Sequence, residues 1–159
     1  MFGILKKIFK IKETVVYVRF KNEKVHFSFF PQGVTFSELP IIALNKKGKV
    51  PKVTAVGKAI MELPVEDPSV VYAPFDPFTP EESFDLAEKT MMALLQKEGV
   101  LKHAMLAPRL VIHPDKSALS DNEEQAYLEL GLCMGGRDVV VYVGETLDEK
   151  GVKTLLKNK

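Results

Sequence analysis

Two short apolar runs in the second half of the chain, Arg109–His113 and residues 137–143, constrain the fold most, because each sits next to a helix with legible ends. Ser120-Asp121-Asn122-Glu123 is a capping box, in which a hydroxyl and a glutamate three positions on satisfy each other's backbone amides, and Gly135-Gly136 ends the helix it opens. Thr79-Pro80-Glu81-Glu82 joins an N-cap, a proline at the first helical position and a capping glutamate, and opens a helix closed near Gly99. A last, polar-rich helix is predicted over 147–156. Unbroken apolar strands between helices belong in a sheet covered on both faces. Ahead of them, residues 14–20 and Lys24–Phe30 are β-type segments joined by the polar Lys21-Asn22-Glu23, a hairpin signal, and a third strand is predicted over 33–36. Short apolar runs at 41–44 and 53–56 lie among several prolines, which marks 39–78 as a small inserted subdomain or excursion.

The order is β-β-β, excursion, α-β-α-β-α. It predicts an α/β fold: a mixed sheet of about five strands with packed helices, plus the small insert. At 159 residues and 46% hydrophobic, residues 13–159 suffice for one domain with a real core.

Residues 1–12 form a unit of their own. At 100° per residue, Phe2, Ile4, Leu5, Ile8, Phe9 and Ile11 fall on one half of a helix, while Lys6, Lys7 and Lys10 fall on the other. Four of the 22 basic residues lie here, which leaves 18 against 21 acidic ones in the rest of the chain, so charge argues against nucleic acid as the partner of the body. A basic amphipathic start is instead expected on an anionic membrane, with Phe2, Leu5, Ile8 and Phe9 toward the acyl chains and the lysines toward the headgroups. The longest apolar runs are far below the ~20 residues that span a bilayer. A single cysteine makes neither an internal disulfide nor a metal cluster, and the expected location is cytoplasmic, peripheral at the inner face of the cell membrane.

Several stretches resemble the bacterial actin-like, MreB-type rod-shape-determining proteins. Met1-Phe2-Gly3 with its basic, apolar continuation resembles the membrane-binding start of many of them; Glu38-Leu39-Pro40-Ile41-Ile42-Ala43 is similar to E-P-S-V-V-A, and Ala55-Val56-Gly57 to A-V-G. Pro108-Arg109-Leu110-Val111-Ile112 resembles P-R-V-V-I, and Glu123, Ala126, Glu129, Gly135, Arg137 and Val139 fall on E-R-R-A-x-x-E-x-x-x-x-x-G-A-R-E-V. The resemblance implies one half of an actin/ribonuclease-H-like fold, the first of the family's two large domains, with the second phosphate loop and adenine pocket in the other.

The departures bear on function. Actin-like ATPases open with D-x-G-[ST], whose aspartate holds the metal and whose glycine admits the phosphates. Here the matching strand reads Val15-Val16-Tyr17-Val18-Arg19-Phe20, with Tyr17 at the aspartate and Arg19 at the glycine, and the first aspartate of the whole chain is Asp67. The first carboxylate of a ribonuclease-H-like metal site is missing for the same reason. No G-x-x-x-x-G-K-[ST] loop replaces it. Glu145 lies near the family's water-positioning E-E-P but lacks its proline.

The expectation is therefore a non-catalytic, membrane-associated actin-like module in cell-shape or cytoskeletal assembly, with Tyr17 and Arg19 filling the phosphate space, and no ATP, metal or other cofactor. Its partners would be a second copy, an actin-like filament or the cell-elongation machinery. The alternatives are half of an ATPase completed by a partner chain, and an actin-like assembly component of a pilus or secretion system. His26, His103 and His113 lack the spacing for shared ligation or a proton relay and are read as ordinary strand and loop histidines. Cys133 is read as a small buried hydrophobe, and Met91, Met92, Leu94 and Leu95 as a core stripe.

Overall fold

The computed structural model describes residues 13–45, 47–63, 70–74, 84–99, 101 and 106–158. The expected helix over 1–12 and the capping box at 79–82 lie outside these residues. The elements are β1 (Val15–Lys21), β2 (Lys24–Phe30), β3 (Val34–Glu38), β4 (Ile41–Asn45), β5 (Lys52–Val56), a 3-10 turn (Gly57–Glu62), β6 (Val70–Pro74), α1 (Phe84–Glu98), β7 (Arg109–His113), α2 (Asp121–Cys133), β8 (Asp138–Val141) and α3 (Glu149–Lys157).

Five strands form the mixed sheet in the order β3-β2-β1-β7-β8. β1 pairs antiparallel with β2 and parallel with β7, so it is the strand at which the sheet changes sense. The β1–β2 turn is local chemistry: Asn22 and Glu23 both take left-handed backbone angles (φ 54° and 60°), and such a two-residue turn matches the twist of a hairpin.

Alternation then assigns the faces. Val16, Val18 and Phe20 of β1 and Val25, Phe27 and Phe29 of β2 point to one side, where Met91 and Leu94 of α1, Tyr127 and Leu130 of α2, and Leu110 and Ile112 of β7 complete the main core. On the other side Tyr17, Val111 and Val140 meet Val152 and Leu156 of α3. Helix α2 comes unusually close to β8: a Cβ on Gly131 would lie 2.5 Å from Val139 Cγ1.

The capping box at Ser120 is present, with Glu123 N donating to Ser120 Oγ (3.2 Å) and Ser120 N to Glu123 Oε1 (3.3 Å). Other boundaries move. The strand predicted over 137–143 is shorter, because beyond Val141 the chain turns away through Gly144 while Tyr142 N still donates to Ile112 O. The last helix starts later than predicted, at Glu149, where Asp148 Oδ1 caps it by accepting from Gly151 N (2.7 Å). Two side-chain expectations are corrected. Cys133 is exposed, since it falls on the outer face of the last turn of α2, and Met92 is over a third exposed beside the buried Met91 and Leu94.

The remaining strands form a separate antiparallel sheet, β5-β4-β6. Its register slips at Thr54, an extra residue in β5 opposite the Ala43–Leu44 step. Glu38, buried at the end of β3, joins the two sheets: its carboxylate accepts from Lys58 N (2.9 Å) and from Lys97 Nζ of α1 (3.0 Å). Burial pushes this carboxyl's pKa up, but the Lys58 amide and the Lys97 ammonium outweigh it and hold the group below the usual range. The contact requires glycine at position 57, where φ is +66° and a Cβ would lie 2.4 Å from Glu38 Oε2.

Candidate functional site

β1, β7 and β8 run parallel, and the crevice beyond the carboxyl ends of such strands, at a change of sheet sense, is where open α/β sheets hold ligands. In this chain side chains of β1 and β7 meet the 142–147 loop at that edge. Pairing of Arg19 with His113 and of Tyr17 with Val111 makes the Tyr17 and His113 rings diagonal neighbours on the α3 face. The rings stack with centroids 6.0 Å apart and 15° between planes, and Tyr142 meets His113 edge-on at 4.8 Å.

The hydrogen bonds follow one direction. His113 Nε2 lies 2.9 Å from the carbonyl of Gly144, an acceptor only, so this nitrogen carries the proton and Nδ1 is the lone pair. Tyr17 O–H then donates to Nδ1 (2.7 Å), and the same oxygen accepts from Leu147 N (3.2 Å). Arg19 Nη1 donates to Thr146 Oγ1 (2.9 Å), and Tyr142 O–H donates to Glu145 O (2.9 Å). The loop 142–147 is thereby laced onto the ends of β1 and β7.

Burial sets the protonation states. It raises the Tyr17 pKa, with the Leu147 amide opposing, and it lowers that of His113, with the Gly144 bond opposing. The ring is thus a neutral imidazole between a neutral phenol and a carbonyl. Every buried side-chain polar atom among the described residues has a partner. Among the described residues no three His, Cys, Asp or Glu side chains group as metal ligands, and no helix is long and apolar enough to cross a membrane.

The sequence-predicted positions are distributed as follows. Tyr17 and Arg19 lie together at this edge, Tyr17 buried and Arg19 half-buried. Glu145 is exposed and contributes only its backbone carbonyl. His26 is apart, between Ser37 Oγ (2.6 Å) and Lys21 O (3.3 Å). His103 and the membrane-binding set Phe2, Leu5, Lys6, Lys7, Ile8, Phe9 and Lys10 lie outside the described residues. Glu13 pairs with Arg137. Sequence reasoning missed His113, Tyr142 and Thr146 as partners of Tyr17 and Arg19. The available signal was His113 itself, a polar residue closing an otherwise apolar strand.

No protein-family model matches the sequence, and no curated protein matches it. Solved structures do. MreB5 of Spiroplasma citri, bound to ADP and bound to AMPPNP, superposes with a TM-score of 0.60 in each case, 15% identity, and coverage of 82% of this chain and 38% of that one. A non-polymerising mutant of MamK bound to AMPPNP superposes at 0.61, with 10% identity and coverage of 82% and 41%. The chain has the actin-like fold, as a half-fold that spans about two fifths of the length of these proteins.

Proposed function

We propose that this chain is a non-catalytic actin-like module of the MreB type, which joins a cell-shape or cytoskeletal assembly through protein partners and is held at an anionic membrane surface by residues 1–12. The non-catalytic reading is supported by the first strand, whose resemblance to the D-x-G strand of actin-like ATPases puts Tyr17 at the aspartate and Arg19 at the glycine, and by the bonding of Tyr17, 4% exposed, into the His113 ring. The structural neighbours bind ADP or AMPPNP, so nucleotide is the ligand to test. Calorimetric titration with millimolar magnesium ATP should give no binding heat. A dissociation constant in the micromolar range would overturn the reading and favour a half-ATPase completed by a partner chain.

The membrane reading rests on the sequence of 1–12. Each large apolar side chain gains about 1.5–3 kcal/mol on full burial, ordering each residue costs about 1–2 kcal/mol, and each lysine near an anionic surface adds about 1 kcal/mol. One copy should therefore bind reversibly and salt-sensitively, and an assembly should bind firmly through effective concentration. Co-sedimentation with anionic and neutral liposomes tests this by comparing the intact chain, a deletion of 1–12, and Phe9→Glu. Equal pelleting of the intact and deleted chains would remove the membrane from the proposal. The partner reading predicts a stable dimer on sedimentation or a stoichiometric partner on pull-down from native extract; a strict monomer with no partner would sink it.

A further inference from the structure

A groove of about 540 Å³ separates the small sheet from α1, and its walls are unlike each other. One wall is the consecutive stretch 53–56 of β5. All four touch the groove, with Val53 and Thr54 exposed and Val56 buried, and β5 has an outer edge on the side away from β4. Among the described residues β5 pairs only with β4, which leaves that edge without a ladder. The other wall is one helical stripe of α1, with Met92 and Ala93 as the apolar floor and Lys89 and Lys97 above and below them. Val53 and Met92, facing each other across the groove, are 43% and 37% exposed.

An open strand edge beside an apolar stripe is the arrangement that takes up an extended peptide: main-chain bonds supply affinity and alternate side chains fill the groove. Charge selects the peptide. Residues 39–61 carry five lysines and no acidic residue, and neither Lys89, in the lining, nor the exposed Lys52, one residue before it on β5, makes an ion pair among the described residues. Lys97 is engaged by Glu38 from below. A second copy of β5 would bring a second lysine-bearing strand to an already basic edge, which opposes pairing between copies. We infer that this groove is a docking site for an extended segment of a protein partner that alternates apolar and acidic side chains, added as a strand to the edge of β5. Thr54, the bulged residue, bends this edge and limits the added strand to a few residues. The inference depends neither on the membrane nor on the state of the β1–β7–β8 edge.

The test is fluorescence anisotropy of the intact chain with a fluorescein-labelled nine-residue peptide of alternating valine and glutamate. Three comparisons accompany it: a lysine-for-glutamate peptide, the glutamate peptide methylated on alternate backbone nitrogens, and the chain carrying Lys52→Glu and Lys89→Glu, both exposed and foldable. Expected are saturable binding of the acidic peptide at about 10–100 µM, binding at least about tenfold weaker for the lysine peptide, loss on N-methylation, and reversal of the charge preference in the double variant. Equal binding of the N-methylated peptide would overturn strand addition. Absence of saturable binding, the result if another part of this chain or a second copy fills the groove, would overturn the site.

Discussion

Replacing Tyr17 by phenylalanine removes one oxygen and leaves the ring packed on Val111, Val140, Val152 and Leu156, so the variant isolates the hydrogen bonds at the β1–β7–β8 edge. That oxygen donates to His113 Nδ1 at 2.7 Å and accepts from Leu147 N at 3.2 Å. His113 is 6% exposed, so its orphaned nitrogen bears nearly the full desolvation cost of about 1–3 kcal/mol. Leu147 is half-buried and recruits water, losing about 0.5 kcal/mol. The expected sum is about 1.5–3.5 kcal/mol. With a urea slope of about 1–3 kcal/mol per molar for a chain of this size, the unfolding midpoint should fall by about 1 M. Tyr142→Phe, which removes only a bond to the exposed Glu145 carbonyl, should cost less than about 0.5 kcal/mol and serves as the matched control. Hydrogen exchange gives a second readout, since the Leu147 amide should exchange faster in Tyr17→Phe and unchanged in the control. A Tyr17→Phe protein within about 0.5 kcal/mol of the parent, with Leu147 still protected, would refute the laced-loop account.

Protonation of His113 makes the same ring pH-sensitive. Its folded pKa lies below the unfolded one, so in the window between them the unfolded chain binds more protons and stability falls as pH drops below about 6.5; denaturation midpoints measured from about pH 7.5 downward should show this loss, and His113→Gln should make it shallower, leaving the share of His26, whose pKa burial also lowers. Gly57→Ala forces a side chain into positive φ and against the Glu38 carboxylate, so it should cost more than about 2 kcal/mol, read as a lowered urea midpoint. Ser120→Ala removes the acceptor of Glu123 N and should cost about 1 kcal/mol, seen in the same assay.

Legibility followed sequence distance. The β1–β2 hairpin and the Ser120 capping box are written within a few residues of themselves, and the apolar run Arg109–His113 declares a strand covered on both faces. Tyr17 and Arg19 could be marked as departures from the D-x-G pattern from residue type alone. Their partners could not, because Tyr17 meets His113 across 96 positions and Arg19 meets Thr146 across 127. The shortening of β8 depends on Tyr142 and Gly144 turning toward that same ring. Glu38 looked like one letter of a motif, whereas its role needs the 3-10 turn at Gly57 and Lys97 of α1 brought to the end of β3. Strand β6 was lost among prolines, since the short Val70–Val71 run is too brief to signal a strand without the β4 edge it pairs with.

The placement of β1 has a consequence for the order of folding. One neighbour, β2, is available after a two-residue turn, while the other, β7, begins at Arg109, 94 positions after β1 starts. Closing so long a segment is an entropic barrier that the hairpin does not face, and parallel pairing of this kind is slow. During synthesis the β1–β3 meander can therefore form while the second edge of β1 is still bare, with Tyr17 and the apolar faces of Val16 and Val18 uncovered. An unpaired edge on a nascent sheet is open to pairing with another chain. Fragments ending before Arg109 should accordingly aggregate or engage chaperones, and the arrival of β7 and β8 is the step that completes the sheet.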